Sequence, residues 1–155
     1  MHSRIYQVSS NPIKEENLIK ENKYYEWGHA DYVSLQESET DINSDLEWLK
    51  TATHGLEIDT QNKTIKILSK KEYFEERHEK FQELAEELSN TLLEDFSNGK
   101  INMKMYDLES YYEDKYGFYI DDSNEYCGLT SLDDWVRNAE ENKIYYVGSI
   151  FDYHF

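Results

Sequence analysis

The stretch KIYYVGSIFDYHF, residues 143–155, alternates large apolar side chains with smaller or polar ones. Tyr145, Val147, Ser149, Phe151, Tyr153 and Phe155 recur at a period of two, the spacing that puts side chains on one side of a β-strand. So much apolar surface in one strand needs neighbours on both edges and a covered face. The stretch therefore reads as the central strand of a sheet.

Working outward, three further segments supply strands. Residues 3–9 (SRIYQVS) put Arg4, Tyr6 and Val8 on one side and Ile5 and Gln7 on the other, and Ser10-Asn11-Pro12 ends the run. Residues 56–59 and 64–68, joined by Thr60-Gln61-Asn62-Lys63, form a hairpin. Phe118-Tyr119-Ile120 is a short strand after Gly117.

Helices are expected between them. Residues 41–53 place Ile42, Leu46, Leu49 and Thr53 on one face, with Ser44 and Glu47 spaced as a capping box and Gly55 as the terminator. Ser69 and Glu72 repeat that box at the start of the longest helix. There Phe74, Phe81, Leu84, Ala85, Leu88 and Leu92 make a buried stripe, opposite Glu75, Glu76, Glu79, Glu83, Glu86 and Glu87. A break is expected near Ser89-Asn90, followed by one more turn. Residues 103–116 should turn Met105, Leu108, Tyr112 and Tyr116 inward, and Ser131 should cap a helix anchored by Trp135 and Val136. Residues 14–23 read as a short polar helix, 24–33 as an aromatic turn and 34–40 as a polar loop. The expected fold is α+β: a mainly antiparallel sheet of about four to five strands packed against three or four helices. Residues 1–155 are expected to form a single compact acidic domain.

Composition narrows the function. The 33 acidic and 16 basic residues leave a net charge of -17, spread along the chain. Such a field repels nucleic acid and anionic membranes and steers towards basic protein surfaces. An aromatic content of 15% argues against disorder. Cys127 is the single cysteine, which fits a reducing compartment, and neither a leader-like N-terminus nor a membrane-length apolar run is present. A cytoplasmic protein is expected.

Few motifs carry chemistry. Glu75-x-x-His78 has the spacing of one half of a di-iron motif but occurs once, so a solvated histidine is the simpler reading. His29-x-Asp31 and Asp152-x-His154 each offer two ligands on one strand face. With Glu26 they would form a metal site if the fold joined them. Asp121-Asp122-Ser123-Asn124-Glu125 lacks calcium-loop spacing. Cys127 has no histidine near it in sequence, and no phosphate-binding loop or cysteine pair is found. No cofactor and no metal is expected.

What remains is YDLESYYEDKYGFYIDDSNEY, residues 106–126, where tyrosines and carboxylates alternate. Asp107, Glu109, Glu113, Asp114, Asp121, Asp122 and Glu125, with Glu79, Glu83, Glu86 and Glu87, are the expected acidic contact surface. Tyr111, Tyr119 and Tyr126 are its expected aromatic contacts. In charge, size and composition the chain resembles the small acidic antirestriction and anti-CRISPR proteins of phages and mobile elements. That resemblance implies a non-catalytic inhibitor that mimics nucleic acid and blocks the basic groove of a DNA- or RNA-handling enzyme. An immunity protein or antitoxin against a basic toxin is the alternative. A small metal-dependent enzyme built on His29, Asp31 and His154 is the second.

Overall fold

The structure, a computed structural model, describes residues 2–25, 32–114, 117–122 and 128–154. It is α+β, as expected, but among the described residues it has a seven-stranded, mostly antiparallel sheet and six α-helices. The strands are β1 (His2–Ser9), β2 (Tyr32–Leu35), β3 (Leu56–Asp59), β4 (Thr64–Ile67), β5 (Tyr119–Asp121), β6 (Leu129–Ser131) and β7 (Ile144–His154). The helices are α1 (Asn22–Tyr25), α2 (Glu39–Ala52), α3 (Lys70–Ser89), α4 (Leu93–Ser97), α5 (Asn102–Tyr112) and α6 (Leu132–Asn138). β2 and β6, the strands not expected from sequence, are four and three residues long. That is too short to display a period of two. Among the described residues no helix is long and apolar enough to cross a membrane.

β7 is the central strand. β1 pairs with it antiparallel along one edge from His2↔His154 to Ser9↔Tyr146. β4 and β2 share the other edge, β4 at Ile144, Tyr145 and Tyr146 and β2 from Phe151 to His154. The sheet order is β3-β4-β7-β1-β5-β6, with β5 parallel to β1.

A bulge in β7 overturns the simple alternation read from sequence. Tyr6 pairs with Ile150 but Val8 with Val147, so Gly148 and Ser149 both face Gln7. Beyond such an insertion every side chain changes face. Tyr145, Val147 and Ile150 therefore belong to one core, with Tyr6, Val8, Ile65 and Ile67 of the sheet and Leu46, Leu49, Trp135 and Val136 of α2 and α6. Phe151 and Tyr153 belong to the other, with Ile5, Val33 and Tyr24.

Gln7 fastens the bulge to the chain that crosses over it. Its Oε1 accepts from the amides of Ser149 (3.1 Å) and Ile19 (3.1 Å), and its Nε2 donates to the Asn17 carbonyl (2.9 Å). Ser149 Oγ donates to the Ile19 carbonyl at 2.8 Å. These bonds use backbone groups that a helix over 14–23 would need. The segment is instead a single 3-10 turn at Glu15–Asn17, an extended stretch, then α1.

Other boundaries shift for local reasons. Ser38, not Ser44, caps α2, accepting from the Asp41 amide at 3.0 Å, because pairing of β2 with β7 brings the chain to the helix start earlier. Ser69 caps α3 as expected, accepting from the Glu72 amide. Gly55 is left-handed (φ +70°), and a Cβ there would lie 2.3 Å from the Ser69 carbonyl oxygen. Leu92 leaves the α3 stripe, being 69% exposed at the start of α4. α5 stops at Tyr112, where Glu113 turns extended and the Asp114 amide donates to Asp133.

A Cβ at Gly148 would sit 2.5 Å from Gln7 Oε1 and 2.9 Å from Ile13 Cδ1. Gly148→Ala should therefore lower stability by about 1–3 kcal/mol through overpacking. Thermal melts followed by circular dichroism check this, and an unchanged midpoint would refute the role given to Gln7.

Candidate interaction surface

α3 has 20 residues and is about 30 Å long. Only its first turns meet the main core, through Tyr73 and Phe74. Beyond them it packs on α5 as an antiparallel partner: Lys104 forms an ion pair with Glu87 near the far end, and Arg137 stacks on both Phe74 and Tyr112 near the base. α3, α4 and α5 thus form a helical arm attached to the sheet at one end.

Asp133 holds the base of that arm. Its carboxylate is buried and accepts four bonds: Arg77 Nη1 (2.7 Å), Arg77 Nη2 (2.7 Å), Tyr73 Oη (2.8 Å) and the Asp114 amide (3.0 Å). Burial pushes the Asp133 carboxyl up, but the Arg77 bonds and charge outweigh it and hold it below the usual range. Burial, then the charge of Asp133, raises the Tyr73 phenol. Arg137 adds a second tie, donating to Asp134 Oδ1 (2.7 Å) and to the Tyr112 carbonyl (2.5 Å). Beside this clamp is a cleft of about 480 Å³ lined by His54, Tyr73, Glu76, Arg77, Asp114 and Asp133 among others. Arg77 is neutralised by Asp133, so the cleft presents no free arginine charge to an anion.

The expected acidic surface divides in three. Glu79, Glu83, Glu86, Glu87 and Glu109 are exposed on the arm. Among the described residues no lysine or arginine forms an ion pair with Glu79, Glu83 or Glu86, whereas Glu87 has Lys104 and Glu76 has Lys80 at 2.6 Å. Asp107 and Glu113 are half-buried, and Asp114 is exposed on the cleft. Asp121 and Asp122, expected in an exposed turn, are buried. Asp121 lies inside the sheet at the end of β5, where Lys23 Nζ (2.5 Å) and Tyr24 Oη (2.8 Å) donate to its Oδ2. Strand pairing of β5 with both β1 and β6 draws these carboxylates inward, which their polarity in sequence gives no sign of. Glu125 lies outside the described residues.

Of the aromatic contacts, Tyr111 is half-buried, Tyr119 packs edge-on against Tyr153 at 5.4 Å, and Tyr126 is outside the described residues. Glu26, His29, Asp31 and Cys127 are also outside them. His154 of the second alternative lies beside His2, with ring centres 5.3 Å apart. Among the described residues no group of three His, Cys, Asp or Glu side chains is placed to hold a metal.

No family model matches the chain, and no curated protein or solved structure matches it. The reading of this surface rests on its own chemistry.

One feature of that surface was missed from sequence. Leu92, Leu93, Phe96, Met103, Met105, Tyr106 and Tyr112 are all exposed, between 47% and 81%. Met105 and Tyr112 were expected to face inward. The available signal was that α5 carries apolar residues all round, in Met103, Met105, Tyr106, Leu108, Tyr111 and Tyr112, while a single neighbouring helix covers one face.

Asp133→Asn keeps the size but removes the charge facing a largely covered Arg77, and should cost roughly 2–4 kcal/mol. Because the Asp133 carboxyl is held low in the folded state, its contribution is present above about pH 4, its unfolded value, and is lost as pH falls through the folded one. Denaturant melts from neutral to acid pH should show a shallower acid loss in Asp133→Asn than in the wild type.

Proposed function

We propose that this protein is a non-catalytic acidic inhibitor whose helical arm occupies the basic groove of a DNA- or RNA-handling enzyme, in the manner of anti-CRISPR or antirestriction proteins. The observation that carries this reading is the row of exposed carboxylates on α3. Glu75, Glu76, Glu79, Glu83, Glu86 and Glu87 lie on one helix. At about 1.5 Å per residue they span about 18 Å, one carboxylate per about 3 Å. A single strand of B-DNA presents one phosphate per about 3.4 Å of axis. The helix offers that spacing on a rigid element; Glu75, Glu76 and Glu87 are paired with Lys71, Lys80 and Lys104, while Glu79, Glu83 and Glu86 form no ion pair with lysine or arginine among the described residues. Attachment at one end leaves α3 and α5 free to enter a cleft. We place the protein in the cytoplasm, where such enzymes act and where a lone cysteine stays reduced.

The test is affinity capture from lysate of the producing cell at roughly 50 and 200 mM salt, compared with the variant E79K/E83K/E86K. A nuclease, Cas effector or restriction subunit should be retained at low salt, lost at least tenfold at high salt, and lost in the variant. The variant should melt no lower than the wild type, since it relieves like-charge crowding. Retention of a toxin would favour the immunity reading, and equal retention by the variant would remove α3 from the contact.

A further inference from the structure

α5 leaves one apolar face uncovered. Met105, Tyr106, Glu109 and Tyr112 fall on one face at helical spacing, and all four are exposed. Leu108 and Tyr111 are half-buried on the other side, together with Asp107 and Ser110. Between α3 and α5 runs a shallow groove of about 580 Å³ lined by Phe81, Met105, Tyr106, Leu108, Glu109 and Tyr112. Five of those six side chains are apolar or aromatic, and Glu109 is a carboxylate within the lining itself. Leu92, Leu93, Phe96 and Met103 extend the exposed apolar surface towards the tip. An apolar patch of this kind marks a contact.

We propose that this groove receives an amphipathic helix of the partner protein, one whose apolar side chains are flanked by lysine and arginine. Charge complementarity selects this occupant. Glu109 sits in the lining, Glu79, Glu83 and Glu86 are exposed on α3, the helix that supplies Phe81, and the chain as a whole carries -17. A second copy of the chain would bring like charges together over the patch. A basic amphipathic helix pairs with the exposed carboxylates of α3 while it buries leucine-sized side chains against Met105, Tyr106 and Tyr112. Unlike nucleic acid itself, which offers no such apolar ridge, it explains why methionine and tyrosine accompany the charge. The inference rests on the arm being the surface that meets a basic protein, and it adds that recognition includes a folded apolar element beside the groove for nucleic acid.

The probe is a labelled synthetic peptide of about five helical turns, with Leu at i, i+3, i+4 and i+7 and Lys elsewhere. A control peptide replaces every Leu by Ser at the same charge. Fluorescence anisotropy with the full chain should show the Leu/Lys peptide binding at least tenfold more tightly than the Ser/Lys peptide. The variant M105S/Y106S changes only exposed side chains, so its melting point should hold while that preference disappears. Equal binding of the two peptides, or an unchanged preference in M105S/Y106S, would overturn the proposal. Sedimentation showing that the wild type self-associates through this face while M105S/Y106S is a monomer would also overturn it, in favour of a second copy. The two proposals fail separately. Loss of lysate capture in E79K/E83K/E86K together with equal peptide binding leaves the mimic reading standing and removes the groove. A leucine preference that vanishes in M105S/Y106S, with no enzyme captured from lysate, keeps the groove and removes the mimic reading.

Discussion

The amide side chain of Gln7 is the constraint on which the architecture turns. It occupies the space left by Gly148 and binds Ser149, Ile19 and Asn17 at once. Of these, the Ser149 amide is buried and would otherwise lack a partner at the bulge. By holding two residues of β7 opposite one of β1, it lets a single strand feed two cores on opposite faces of the sheet. The same bonds draw residues 17–19 across the second face, where Ile19 and Tyr24 cover Phe151 and Tyr153.

A chain with so many carboxylates must sort them. Some are taken inside, each against a cation: Asp45 with Arg4 (2.8 Å), Asp121 with Lys23 and Asp133 with Arg77. Arg4 also reaches Asp152 at 2.7 Å and lies over the Trp48 ring, so one guanidinium links β1, β7 and α2. Burial raises the Asp45 carboxyl even though Arg4 pulls the other way. The attraction across such a pair is therefore balanced largely against desolvation, and its value is in fixing which elements meet. Among the described residues, Glu79, Glu83 and Glu86 form no ion pair with lysine or arginine and stand exposed on α3, outside the cores.

That sorting gives the arm its character. Asp133 and Arg137 clamp its base, so α3 and α5 hold their side chains in fixed relation at a distance from the sheet. A rigid acidic helix beside an apolar groove offers long-range attraction and short-range contact area on one element. The first speeds encounter and the second sets how long a complex lasts.

The period-two pattern of residues 143–155, the hairpin at 56–68, the Ser69 cap and the Leu46–Leu49 face of α2 were legible because each is a local regularity that burial must respect. The α+β class and the central place of β7 follow from them, and the exposed glutamates of α3 were equally plain. The bulge was not legible, since it depends on Gln7 and Gly148, residues 141 apart in the chain, coming together. Nor were β2 and β6, whose few residues form strands only because β7 and β5 offer free edges. The inward place of Asp121 needed Lys23 and Tyr24 brought across the sheet, and the outward face of α5 needed the knowledge that α3 covers only its other side. The sequence by itself determined the longer helices, the β3–β4 hairpin, the central strand and how much charge the surface must carry. Only the tertiary structure decided which carboxylates are paired inside and which apolar residues are left outside, because both depend on partners distant in the chain.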